Sequence, residues 1–438
     1  MTAGFLTRRL AVLAVLAAGS MLAACGGNDD PKDKKANANQ ASLRAINLSA
    51  DVPSVDVYTG DTRRFSSLTA DAVSATATFD AGTTTLVVKS AGQAANLFSE
   101  SLTTAKGSDY TTVIAGRESA MLVRTFGESE DAAAIAAGSF RLRVLNLVSD
   151  NAAVDVHVVP AGAGITSNPR FRFTSNTLSD FQIFSSATAY RVVVTGQGTL
   201  DEVRLDIPLA GTVDKQFHTL VIVSGANGAL VNASLIAQGG SATALKNTHS
   251  RVRLAAGADD NGNVSASVAG AAISPTLRSP NVSPYRLVDA GVRTLAVSVD
   301  GTVVSSGSRD FKAGSDYTVV TYGHGGAAQV QVKEDDNRAP SAATQARIRL
   351  INAVDGSQAM NLRADLQNLV SSVVPGAASG YATVAGTTSS IVEVTTPAGS
   401  LFTKTSPGSQ PLLLPQGVYT LFMLGGNPTP EGQLIKDR

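Results

Sequence analysis

Short runs of alternating apolar and polar residues recur along most of the chain. Val55 and Val57 alternate with Asp56 and Tyr58, and Val154, Val156 and Val158 with Asp155 and His157. Leu295, Val297 and Val299 alternate with Ala296, Ser298 and Asp300, and Val330 and Val332 with Gln329 and Gln331. A period of two buries one face of a strand and leaves the other in water. Turns rich in Thr, Gly, Asn and Asp separate the runs. The alanine-rich stretch Ala132–Ala137 is the one helix-like segment. The pattern predicts an all-β protein.

Two markers repeat within it. The first is a short apolar segment around an arginine: Leu43-Arg44-Ala45-Ile46-Asn47-Leu48, Leu142-Arg143-Val144-Leu145-Asn146-Leu147, Val252-Arg253-Leu254 and Ile348-Arg349-Leu350-Ile351-Asn352-Ala353. The second opens a late strand: Tyr110-Thr111-Thr112, Phe217-His218-Thr219, Tyr317-Thr318-Val319 and Tyr419-Thr420-Leu421. Both keep a period of about 100 residues, so the chain reads as four copies of one unit. A weaker marker lies mid-unit, at Asp80-Ala81-Gly82, Asp289-Ala290-Gly291 and Ala385-Gly386-Thr387. The expected units are 42–131, 139–240, 248–335 and 345–438. That length with several short strands fits an immunoglobulin-like β-sandwich. Each unit is expected to hold its own core and to share few contacts with its neighbours, with the joints 132–138 and 336–344 the most accessible stretches. Tyr110, Tyr317 and Tyr419 follow closely on a Gly, as in a tyrosine corner, so each hydroxyl is expected to bond to backbone.

The N-terminus reads as an export address. Arg8 and Arg9 precede an apolar stretch, Leu10 to Ser20, too short to span a bilayer. Leu22-Ala23-Ala24-Cys25 follows and resembles a bacterial lipobox. Residues 1–24 are therefore expected to be a signal peptide and Cys25, the chain's only cysteine, the lipidated first residue of the mature protein. Gly26 in place of Asp points to the outer membrane. Residues 25–41 are the lipidated cysteine and a polar, flexible tether.

Residues 43–58, from Leu43 to the Val55-Asp56-Val57-Tyr58 run, resemble the opening of the bacterial domain of unknown function 4397. That family opens on an arginine-containing strand, then a His-x-Ser-Pro-Asp-type loop, then Val-Asp-Val-Tyr. Ser283-Pro284-Tyr285, Asp289-Ala290-Gly291 and Leu295-Ala296-Val297 resemble its middle. Asn47, Asn146 and Asn352 stand where the family often has His. The resemblance is good in units one and two, partial in three and weak in four. It implies an exported or surface lipoprotein with a β fold and no settled activity.

Composition narrows the function classes. The chain has 35 Lys+Arg and 35 Asp+Glu, which argues against a nucleic-acid binder. No Gly-x-Ser-x-Gly elbow, His-Glu-x-x-His pair or phosphate-binding Gly-x-x-x-x-Gly-Lys loop occurs. No catalytic, cofactor-binding or metal-ligating set is therefore assigned, and the protein is expected not to be an enzyme. Gly323-His324-Gly325-Gly326 lies between two strands and reads as a hairpin turn. His157, His218, His249 and His324 have no partner ligand at metal spacing and read as surface or structural. Asp259-Asp260-Asn261-Gly262-Asn263 and Glu334-Asp335-Asp336-Asn337 offer oxygens of the kind calcium takes, against the plainer readings of a polar turn and a solvated linker. Phe171-Arg172-Phe173 with Phe181 and Phe184 is either the core of unit two or an exposed patch. The expected role is adhesive, structural or protein-binding, with the membrane engaged through the lipid. The alternative is a glycan- or cell-wall-binding accessory protein. The identity of a protein or glycan ligand is not written in these residues.

Overall fold

The computed structural model describes residues 39–438 apart from 150–152, 226, 259–260, 407, 409 and 428. The described chain is built of strands, with two single-turn 3₁₀ helices, Ala132–Ala134 and Gly325–Ala327. Unit one pairs two four-stranded sheets. One holds Gln40–Asn47 between Ala77–Asp80 and Asp109–Arg117, with Ala120–Gly127 at the far edge. The other orders Thr62–Thr69, Ser54–Thr59, Gly82–Ser90 and Asn96–Thr104. The same two-sheet plan recurs three times, and unit two adds the edge strand Ala242–Leu245, beyond the boundary expected at 240.

In each unit the arginine-bearing strand runs parallel to the late strand. Gln40–Asn47 pairs with Asp109–Arg117, Ser139–Leu147 with Phe217–Ser224, His249–Ala258 with Asp316–Gly323, and Gln345–Ala353 with Val418–Leu424. Parallel pairs occur where both faces of a sheet are covered, and these strands are covered on both. Leu43 and Ala45 enter the core of unit one, while Ile46 and Leu48, on the opposite face, enter a different cluster. That cluster joins unit one (Ile46, Val113, Phe126) to unit two (Leu145, Val221, Ile236). A matching cluster joins unit three (Ala255, Val320, Tyr322) to unit four (Ile351, Phe422, Leu424). Four cores each lie within one unit, but the expectation of few contacts between neighbours fails for these two pairs. The sheets that carry the repeat markers are the faces that meet.

The joints also differ from expectation. Segment 132–138 is exposed apart from Ile135. In 336–344, Asn337 is fully buried, Pro340 is buried, and Arg338 and Ala339 are partly covered. The first joint is a loose connection; the second is covered over 336–340 and exposed at Ser341, Ala343 and Thr344.

The tyrosine corners form as the pattern predicts. The N–H groups of Ala105, Lys312 and Leu414 donate to the hydroxyls of Tyr110, Tyr317 and Tyr419 at 2.9, 3.0 and 2.8 Å. In unit two the matching residue is His218, not the Phe217 that heads the sequence marker. Leu142 faces His218 across the parallel pair, just as Leu43 faces Tyr110 and Ile348 faces Tyr419. The Val213 N–H donates to His218 Nε2 at 3.1 Å, reproducing the tyrosine bond with an imidazole.

This substitution makes unit two sensitive to acid. Burial presses the His218 imidazole below its ordinary pKa. Burial does the same at His157, opposed by Asp155 and aided by Arg172. On acidification the unfolded chain therefore binds protons before the folded one. Stability is full above about pH 6.5 and falls as pH drops below it. The buried, hydrogen-bonded carboxylates Asp56 and Asp155 have depressed pKa values, so their losses come at lower pH. We expect His218→Tyr to flatten the pH dependence of the denaturation midpoint between about pH 7 and 5. A wild-type midpoint that is level across that window would sink the argument.

Candidate functional site

The residues that recur in every unit converge where units meet. Arg44, Arg143, Arg253 and Arg349 each donate from Nε to a threonine of their own late strand: Thr111, Thr219, Thr318 and Thr420, at 2.8, 3.0, 2.8 and 3.0 Å. That bond turns each guanidinium into the seam. Arg44 reaches Glu128 of its own unit and crosses to the carbonyls of Ala237 and Gly240 in unit two. Among the described residues Arg143 has no carboxylate partner at hydrogen-bond distance; it lies 4.5 Å from the ring centroids of Phe126 in unit one and Phe181 in unit two. Burial accordingly lowers its pKa, though Glu130 and Glu128 oppose this.

Between units three and four the exchange is reciprocal. Arg253 of unit three donates to Asp437 of unit four at 2.5 Å, and Arg349 of unit four donates to Asp335 of unit three. Each aspartate also accepts from the threonine of its own unit, Thr420 to Asp437 and Thr318 to Asp335, both at 2.5 Å. Tyr285 donates to Asp335 at 2.7 Å and lies beneath Arg253, 4.4 Å from guanidinium carbon to ring centroid. Tyr381 lies beneath Arg349 at 4.8 Å. The two arginines are 1% and 2% exposed and Asp335 is fully buried. Burial alone would strip protons from these guanidiniums; the paired aspartates and neighbouring tyrosines outweigh it and hold both pKa values above the ordinary range. Burial likewise raises the Tyr285 phenol, which stays protonated and able to donate.

A further repeat escaped the sequence reading. Ser74, Ser179, Ser283 and Ser379 each accept the N–H of the residue after the repeat arginine, at 2.9, 2.9, 2.9 and 3.0 Å. Each then donates to the carbonyl of the residue that follows it. The strands around them are too short and too varied in residue type for a lone serine to stand out.

The other sequence candidates fall into structural places. Cys25 lies outside the described residues. The polar phase of the Val-Asp-Val run is buried, not wet. Asp56 is 2% exposed and accepts the N–H of Ser67, which adopts a left-handed φ of 49° in a bulge. Asn361 accepts from Ser372, φ 59°, in the same way in unit four. Asp155 is clasped by Arg172 at 2.7 and 2.8 Å, and His157 beside it is 2% exposed, so it is not a surface histidine. His249 is 3.5 Å from Asp289.

Asp259 and Asp260 are outside the described residues. The second calcium candidate is spent on cations: Glu334 on Lys312, Asp335 on Arg349, and Asp336 on Arg338 and Arg347. It is therefore neither an open cation loop nor a solvated linker. No cluster of three or more metal-ligating side chains occurs among the described residues. Gly323 to Ala328 is a hairpin connection, since Asp316–Gly323 pairs antiparallel with Gln329–Asp335. Phe171 and Phe184 are in the core of unit two, while Phe181 stacks edge-on against Phe217 near Arg143. No helix among the described residues is long and apolar enough to cross a membrane.

The comparisons with known proteins agree with the repeat. Residues 35–157 and 250–363 match a domain of unknown function, DUF4397. The first span covers unit one and the opening strands of unit two; the second covers unit three and the opening of unit four. Unit three thus matches more fully than its sequence markers predict. No curated protein matches. Among solved structures, the chain is similar to a Bacteroides uniformis protein provisionally assigned to cell adhesion. That likeness is at 13% identity and a TM-score of 0.20, over 45% of this chain and 99% of that one. It is also similar to the Bacillus anthracis TIE protein, at 10% identity and a TM-score of 0.14, over 91% of this chain and 66% of that one. Likeness at this level carries no argument about function. With more than half of its length in the two matching spans, the chain belongs to the DUF4397 family.

Proposed function

We propose that this protein is a non-enzymatic scaffold of the cell envelope, held in the outer membrane by lipid on Cys25 and acting in adhesion or protein binding. One observation carries the reading most. The arginines that recur with the repeat are bonded to the buried threonines of their own late strands, and three of them, Arg44, Arg253 and Arg349, reach across to a neighbouring unit. Repetition here serves to lock units together. The opposite sheets of units one and three end in the long exposed strands Asn96–Thr104 and Thr302–Phe311. Exposed edges of this kind take up an extended partner segment by main-chain pairing.

The anchor is tested on cells producing the whole chain. Cys25→Ser is expected to abolish incorporation of labelled palmitate and to release the protein from the membrane fraction. It is also expected to remove any attachment of the cells to protein-coated surfaces that the wild-type chain confers. Equal labelling of the two forms would defeat the lipid anchor. Attachment unchanged by deleting the whole chain would defeat the adhesive role.

A further inference from the structure

Unit one lacks a ring that the other three units place against their repeat arginine. Each arginine strand pairs antiparallel with a short strand that starts three residues beyond the recurrent serine. The registers set Leu43 opposite Ala77, Leu142 opposite Gln182, Val252 opposite Arg286 and Ile348 opposite Ala382. One step further, each repeat arginine comes opposite the residue just before the short strand: Thr76, Phe181, Tyr285 or Tyr381. Phe181, Tyr285 and Tyr381 lie against Arg143, Arg253 and Arg349, 4.5, 4.4 and 4.8 Å from guanidinium carbon to ring centroid. In unit one the position is Thr76, and among the described residues no ring lies against Arg44. The flank is trimmed as well. Arg251 and Arg347 also lie on the Tyr285 and Tyr381 rings, at 4.5 and 4.6 Å, and the matching residue of unit one is Ser42.

Two short side chains therefore stand where the later units have a ring and a second guanidinium, and a cleft of about 330 Å³ is the result. Ser42, Arg44, Thr76, Glu128 and, from unit two, Gln238 line it. Thr76 and Asp109, which also line it, are exposed, so the cleft opens to solvent. The fittings for a phenol remain in place. In unit three the Tyr285 hydroxyl donates to Asp335, and Asp335 faces Asp316 across its strand pair. Glu128 holds the matching position in unit one: its N–H donates to the Asp109 carbonyl at 2.8 Å, one step beyond the Tyr110–Gly127 pair. Like Asp335, Glu128 is buried and bonded to a repeat arginine, Arg44, at 2.5 Å. It also accepts the Gly239 N–H at 3.1 Å. A carboxylate has about four lone-pair sites, so capacity for a hydroxyl is left. The Arg44–Glu128 pair does not bar a ring, since Arg253 bonds to Asp437 and carries Tyr285 as well. Thr111 and the Ala237 carbonyl fix Arg44 in place, which makes its guanidinium a preset platform for an aromatic face.

We propose that this cleft takes the phenol ring of a tyrosine side chain presented by a partner protein, with the ring on Arg44 and the hydroxyl on Glu128. Ala77–Asp80, directly after Thr76, is the outer strand of its sheet. An extended segment pairing along that strand runs past the cleft and carries a side chain to it. The inference deepens the protein-binding role above and rests on it for the nature of the partner.

The test titrates the whole chain in detergent with p-cresol (the tyrosine side chain without its backbone), N-acetyltyrosine amide and toluene. The two phenols are expected to bind, and toluene, which lacks the hydroxyl, about fivefold more weakly. Thr76→Tyr supplies the ring from within the chain. It is expected to weaken p-cresol about tenfold or more and to raise the melting temperature of units one and two. If that variant melts early, Thr76→Leu narrows the same space at an exposed position and is expected to weaken p-cresol with melting unchanged. No binding of p-cresol to the wild type, or equal binding to wild type and both variants, would overturn the proposal. Toluene binding as tightly as p-cresol would overturn the seat of the hydroxyl on Glu128. Binding of p-cresol without N-acetyltyrosine amide would overturn a protein source for the ring in favour of a free phenol. These titrations do not depend on attachment of cells. Attachment through a chain that takes no p-cresol would sink the cleft alone; p-cresol binding by a chain whose deletion leaves attachment unchanged would sink the adhesive role alone.

Discussion

Asp335→Ala is expected to destabilise the joined units three and four by about 3–5 kcal/mol, the usual cost of removing one partner from a buried ion pair. Asp335 accepts from Arg349 across the seam, and from Thr318 and Tyr285 within unit three, with no exposure to water. Removing it leaves the Arg349 guanidinium buried beside Arg253, with Asp437 as the remaining carboxylate for both. Denaturant unfolding of the whole chain reads the effect as an earlier transition for these units, with that of units one and two unmoved. Truncating both sides, in Asp335→Ala with Arg349→Met, is expected to recover a large part of the loss, because an apolar pair carries no uncompensated charge. A single variant as stable as the wild type would show that the swapped pairs contribute nothing to holding the units together.

Those swapped pairs show how far the sequence could be read. The arginine marker was visible because Arg44, Arg143, Arg253 and Arg349 interrupt apolar runs at a steady period, and the tyrosine marker because Tyr110, Tyr317 and Tyr419 open similar strands. The period and the β character follow from local residue pattern, and both are in the structure. What the arginines bond to is not local. Arg253 and its partner Asp437 stand at opposite ends of the joined units, and nothing near either residue in the chain ties them together. The two-faced strands were hidden for a related reason. In Leu43-Arg44-Ala45-Ile46-Asn47-Leu48 both phases of the strand are apolar or bonded, so no alternation marks which face meets a neighbour.

The unit-two marker was misaligned by one residue because Phe217 resembles tyrosine in shape, whereas His218 matches it in the bond it makes. The seams also differ in closeness. Where Leu48 and Leu147 fill the first seam, the second has Gly257 and Ala353, and a Cβ at Gly257 would fall 2.9 Å from the Ala353 carbonyl oxygen. The Thr321 carbonyl oxygen of its own unit would be closer still, at 2.6 Å, so that glycine answers both to the paired strand and to the approach of the units.

The double coverage of the central sheets leads to the second large effect. Unit two expressed alone, as residues 139–247, is expected to self-associate or aggregate, whereas residues 39–247 are expected to unfold in one cooperative transition. Alone, unit two would expose Leu145, Leu147, Val221, Val223 and Ile236, each at most 5% exposed in the whole chain. Each such side chain gives about 1.5–3 kcal/mol on full burial, and a domain's net stability is only about 5–15 kcal/mol. Losing the partner face is therefore comparable to losing the fold, and the bared patch is of the kind that drives association. Arg143 would also lose Phe126 from above its guanidinium.

Limited proteolysis of the whole chain approaches the same point from the other side. The exposed joint 132–138 is expected to be cut first. The nicked units one and two should stay together on gel filtration through their apolar seam, and the covered stretch 336–340 should resist. Separation of the two units after the cut, or a monomeric 139–247 fragment with a sharp melting transition, would show that the seam is incidental and that each unit folds alone.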